Sequence, residues 1–110
     1  MAELVSIVVV AHQNWPDLEL AVQSALCQSY QPVEVIVVDN SSTDATPREL
    51  PRLFSGRIRY VRQPNTGDAG AYNTGFGLSC GGFVQFLDGD DVLTPYKIEK
   101  QMEVFCEHPD

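Results

Sequence analysis

Short apolar runs rich in β-branched residues alternate along this chain with stretches whose apolar positions recur at helical spacing. Residues 4–11 are almost continuously apolar, the pattern of a strand covered on both faces. Pro16 suits a first helical turn, and Leu18, Val22, Ala25, Leu26 and Ser29 follow at helical spacing. Pro32 closes that connection, and residues 33–38 predict a second buried strand. Asn40-Ser41-Ser42-Thr43-Asp44 is turn and N-cap chemistry ahead of a short helix over 47–54. Residues 57–62 alternate charge with apolar bulk, as a half-exposed strand nearer a sheet edge does. A polar loop over 63–68 then leads to a small-residue helix over 69–80, a strand over 82–87 that reads as buried, and an amphipathic helix over 95–107.

Regular alternation of strand and helix predicts a parallel α/β sheet with right-handed crossovers. At 110 residues the chain suits one domain with a core of its own. Ligands of open parallel sheets sit beyond the carboxyl ends of the strands. Three predicted strands end in polar clusters: His12-Gln13-Asn14, Asp39-Asn40-Ser41-Ser42 and Asp88-Gly89-Asp90-Asp91. If those strands are neighbours, the clusters share one crevice.

Charge narrows what that crevice holds. A net charge of −8 argues against nucleic acid, whose phosphates need clustered Lys and Arg. It also repels any anionic ligand, unless a bound cation reverses the local field. The first strand ends without a glycine-rich turn, and no P-loop pattern occurs, so dinucleotide and P-loop readings fail. Asp88, Asp90 and Asp91 supply oxygen ligands with no neighbouring Cys or His, which favours Mg²⁺ or Mn²⁺ over softer metals. Asp88 and Asp90, read as buried, would repel each other without such a cation. A calcium loop ending at Glu99 fails, because Leu93 stands where glycine is needed. A phosphotransfer aspartate at Asp88 lacks the Gly-Thr that usually follows. Cys27, Cys80 and Cys106 are odd in number and lack metal spacing, which predicts reduced core thiols in a cytosolic protein. The longest apolar run is far short of a membrane span.

The chain resembles the nucleotide-binding half of the family 2 glycosyltransferases, which have the GT-A fold. "VSIVVVAHQN", "VEVIVVDNSSTDAT" and "NTGDAGAYNTGFGLSCGGFVQFLDGDD" carry the likeness, in family order, between Leu4 and Pro109. The resemblance implies a GT-A, Rossmann-like parallel sheet with alternating helices. It makes 1–110 the nucleotide-sugar-binding part of a longer domain, truncated after the D-x-D motif and one following helix. It places Ala11 and His12 at the base or ribose, Asp39 on the base, Asp88 near the ribose and at the metal, and Asp90 on metal and diphosphate. Asp91, Asn65, Asp68 and Asn73 are secondary candidates. The implied reaction moves a sugar from a metal-bound nucleoside diphosphate, UDP favoured, to a saccharide or lipid-linked acceptor hydroxyl, with inversion. Mn²⁺ or Mg²⁺ is the implied cofactor, and the catalytic base is expected beyond Asp110. A cytoplasmic location, membrane association of a longer protein and a homo-oligomer are further expectations. The alternative is a non-catalytic nucleotide- and metal-binding module. Two departures bear on the base: Val10-Ala11-His12-Gln13 replaces the common Pro-Thr-Tyr-Asn, and Tyr72 stands where Arg is frequent.

Overall fold

The computed structural model describes residues 2–107; His108 and Pro109, at the end of the family likeness, lie outside them. Four parallel strands, β1 (Val5–Ala11), β2 (Val33–Asn40), β3 (Arg59–Gln63) and β4 (Phe83–Asp88), lie in the order β3-β2-β1-β4. Between and after them run α1 (Asp17–Leu26), α2 (Thr46–Leu53), α3 (Gly67–Leu78) and α4 (Lys97–Glu107). The expected parallel α/β alternation is therefore the observed one.

Alternate residues of the central strands face opposite layers. Ile7, Val9, Val35 and Val37 join Leu18 and Val22 of α1, Leu50 of α2 and Ile98 of α4 in one core. Val8, Val10, Ile36 and Val38 face Ala71 of α3 in a second core. This division follows from the strand order. The chain steps from β1 to β2 to β3 in one direction, then returns across the sheet to β4. A crossover of the same hand in the reverse direction must carry its helix over the opposite face.

The glycines of α3 include one that this packing requires. A Cβ on Gly75 would lie 2.2 Å from Val8 Cγ1, whereas one on Gly77 meets nothing within 4 Å. Gly75→Ala should therefore destabilise by about 1–3 kcal/mol through overpacking, although alanine is the better helix former. Gly77→Ala should be neutral or stabilise by up to ~1 kcal/mol. Urea midpoints of the two variants check this, and equal midpoints would refute it.

Three expectations change. The apolar run 83–87 reads as a covered strand, yet among the described residues β4 lies at the sheet edge; only Leu87 in it is buried, and Phe86 is 41% exposed. Helix α3 begins at Gly67, two residues before the expected start, because Asn65 Oδ1 accepts the Gly67 N–H at 2.9 Å while Gly67 takes φ 82°. Cys27, Cys80 and Cys106 are free as expected, but all three are exposed rather than in the core. Ser6, the polar residue inside the first apolar run, is fully buried. Its hydroxyl donates to Glu34 and accepts the Gly81 N–H at 2.9 Å, tying β1 to the turn before β4. No helix among the described residues is long and apolar enough to cross a membrane.

Candidate functional site

Because β2, β1 and β4 are neighbours, their three polar ends meet. The loops after β1 and β2 are stitched together by side chains. Gln13 Oε1 accepts the N–H groups of Thr43 (2.8 Å) and Asp44 (3.1 Å), and its Nε2 donates to Thr43 Oγ1 at 2.7 Å. The Gln13 N–H donates to Ser42 Oγ at 3.0 Å, and the Trp15 N–H to Asp44 Oδ2 at 3.0 Å. These bonds hold Gln13 and Ser41 at φ 55° and 62°, in the left-handed region that non-glycine residues seldom adopt. His12 Nδ1 lies 2.6 Å from the Asn40 carbonyl oxygen, which places a proton on that nitrogen.

Asp39 pairs with Ala11 in the sheet, and both are fully buried. Its Oδ1 accepts the Ser42 N–H at 2.9 Å and its Oδ2 accepts the Tyr60 hydroxyl at 2.5 Å. Asp39 thus holds its own turn, a task that reading the sequence gives to the residues that follow it. Burial, and next the bond to Asp39, push the Tyr60 hydroxyl well above the ordinary tyrosine range.

On β4 the acidic segment forms a tight turn: the Asp88 carbonyl accepts the Asp91 N–H at 3.0 Å. The Gly89 N–H donates to the Val10 carbonyl at 2.8 Å, extending the β1–β4 pairing past the strand. A Cβ on Gly89 would sit 2.7 Å from Asn14 Oδ1 and 3.0 Å from the Val10 carbonyl oxygen, so a larger residue between the two acids would have to displace Asn14. Carboxylate oxygens of Asp88, Asp90 and Asp91 lie within 4.8 Å of one another. All three residues are exposed, which corrects the expectation of buried carboxylates in conflict. Water screens their repulsion, and an all-carboxylate set within this span suits a hard divalent cation.

The structure brings several candidates to one hollow of about 290 Å³, lined by Val10, His12, Asn14, Asp68, Asp88 and Asp90. Asp68 arrives from the first turn of α3. Asn73 does not arrive: Asp68, Ala71, Tyr72 and Gly75 share one side of α3, and Asn73 is exposed off that side. Asn65 is committed to the start of α3. A wider hollow of about 700 Å³ shares Asp88 and Asp90 with the first and has Tyr72, Phe86, Asp91 and Lys97 in its walls. The Tyr72 hydroxyl donates to Asp88 Oδ1, and burial, then that bond, raise it above the usual tyrosine range. Asn14 belongs to the polar cluster expected at the end of β1, though the sequence assigns it no role individually. Its contact with Gly89 joins positions far apart in the chain and appears only in three dimensions.

The three-layered parallel α/β architecture, with a carboxylate triplet at the end of β4, is that of the GT-A glycosyltransferases. The sequence pattern of "Glycosyl transferase family 2" matches residues 6–110, and the chain belongs to that family. It is 36% identical over 101 residues to "UDP-Glc:alpha-D-GlcNAc-diphosphoundecaprenol beta-1,3-glucosyltransferase WfaP" of Escherichia coli, covering 91% of this chain and 40% of the relative. Among solved structures, S. aureus TarS (residues 1–349) shares the fold at TM-score 0.85 with 22% identity, over 96% of this chain and 33% of TarS. Mannosyltransferase PcManGT from Pyrobaculum calidifontis, in complex with GDP-Man and Mn²⁺, aligns at TM-score 0.71 and 27% identity, over 84% of this chain and 29% of that one. The chain spans between 29% and 40% of the length of three curated relatives that it matches.

Proposed function

We propose that these residues form the donor side of a sugar transferase, binding a nucleoside-diphosphate sugar together with a divalent cation. The observation that carries this reading is the carboxylate triplet at the hollow between the β1 and β4 ends. Asp88 and Asp90 would hold Mn²⁺ or Mg²⁺, with Asp91 alongside. Such a cation supplies charge neutralisation for the diphosphate as it leaves the sugar. The PcManGT complex with Mn²⁺ supports that choice of metal. Ala11, His12 and Asp39 line the nucleoside end, and UDP is favoured over GDP, in keeping with the UDP-Glc named for WfaP. Asp39 accepts hydrogen bonds only, so it suits a base edge that offers an N–H, as uracil does. The acceptor hydroxyl, saccharide or lipid-linked, would attack the anomeric carbon with inversion. The acceptor site and the base that takes its proton are proposed to lie in the further length that relatives have.

A thermal-shift panel of UDP, GDP and dTDP, each with Mn²⁺ or excess chelator, tests the donor reading. UDP with Mn²⁺ at ~100 times its dissociation constant should stabilise by roughly 2.7 kcal/mol. Equal shifts with and without chelator would remove the metal from the account, and no shift from any nucleotide would overturn the reading.

A further inference from the structure

Resting on the metal reading above, we propose that Tyr72 is a positioning residue whose hydroxyl sets Asp88 for the cation. Asp88 ends an edge strand and is exposed, so its carboxylate has few neighbours to fix its rotamer. Tyr72 supplies what is missing by donating its hydroxyl proton to Asp88 Oδ1.

The tyrosine is itself held. It sits on α3 between Ala71 and Gly75, of which Ala71 is fully buried and Gly75 lies hard against Val8. Its ring meets Phe86 edge-on, with centroids 5.0 Å apart and planes at 65°. The helix and the edge strand thus fix the ring, and the ring fixes the carboxylate.

The chemistry of the donor suits the task. A phenol proton occupies one lone pair of Oδ1 and leaves the other, with both lone pairs of Oδ2, for a cation. Being neutral, the phenol adds no positive charge beside the metal. Hydrogen bonds to ligating carboxylates typically contribute 10–100-fold in metal affinity.

The test titrates Mn²⁺ alone into the 110-residue protein and follows free Mn²⁺ by electron paramagnetic resonance. Tyr72→Phe keeps the ring against Phe86 and removes only the hydroxyl. It should weaken Mn²⁺ binding about 10–100-fold, while the melting temperature in chelator stays close to wild type. Asp90→Asn serves as the control for the metal site. Wild-type binding that Asp90→Asn leaves intact would defeat the metal reading itself, whatever Tyr72 does. Wild-type binding that Asp90→Asn removes but Tyr72→Phe leaves unchanged, or tightens, would overturn the Tyr72 proposal alone. Should Tyr72→Phe melt below the assay temperature, 3-fluorotyrosine at position 72 retains both ring and hydroxyl. Mg²⁺ should then shift its fluorine resonance, and Asp90→Asn should abolish the shift; a resonance indifferent to Mg²⁺ would refute the proposal.

Discussion

In Asp90→Asn, UDP binding should become indifferent to Mn²⁺. Asp90 lines the hollow beside Asp88, and its carboxylate belongs to the triplet whose oxygens lie within 4.8 Å. At ~4 Å and an effective dielectric of ~20, one unit-charge pair is worth roughly 4 kcal/mol before desolvation. Loss of that carboxylate should therefore weaken metal-dependent binding by at least about tenfold. Because the three acids are exposed, relief of their mutual repulsion is small, and the variant should melt within a degree or two of wild type in chelator. Isothermal titration of UDP, with Mn²⁺ and then with excess chelator, reads the difference directly. A variant that still gains affinity from Mn²⁺ would show that Asp90 is no metal ligand.

Asp39→Ala should instead act on the fold. Asp39 is fully buried, and the substitution leaves the Ser42 N–H and the Tyr60 hydroxyl without their acceptor. Two orphaned donors at ~1–3 kcal/mol each predict a loss of about 2–6 kcal/mol in unfolding free energy. Asp39→Asn separates this role from base recognition. The amide can accept the Ser42 N–H with its oxygen and donate to the Tyr60 oxygen with its nitrogen, so the turn survives. It nevertheless presents an N–H where a base edge would need an acceptor. If Asp39 reads the base, Asp39→Asn should weaken UDP about tenfold, the scale of one charge-assisted bond, and leave pyrophosphate with Mn²⁺ unchanged. Equal losses for the two ligands would mean that Asp39 only shapes the loop.

The contrast between Asp90 and Asp39 marks what was legible in the sequence. The alternation of strands and helices is written in local periodicity, and so are the polar strand ends, since each depends on neighbours within a few residues. Strand order is not local. The run from Phe83 to Leu87 looks like the run in β2, yet β2 is covered on both faces and β4 stands at an edge. Nothing within either run reports its place in the sheet. The cysteines mislead for a related reason, because composition assigns thiols to cores while the helix and loop faces of Cys27, Cys80 and Cys106 turn outward. Asp39 was visible as an acid at a strand end, but its commitment to Tyr60 spans 21 positions and appears only in three dimensions. Asp88, Asp90 and Asp91 were legible because a single turn contains them all.

The stitching of the loops after β1 and β2 bears on the thermodynamics of ligand capture. Ordering one backbone residue costs about 1–2 kcal/mol of conformational entropy, and the bonds from Gln13, Ser42 and Asp44 bring that ordering into the folding reaction. Under the proposed donor reading, a nucleoside entering beside His12 would meet a wall already set, and its binding would not have to meet the cost of ordering that backbone. What remains to be organised would lie across the crevice, at Asp90 and Asp91, where a cation arriving with the diphosphate would supply the order. On that reading, one side of the cleft would be a template and the other would be completed by its guest.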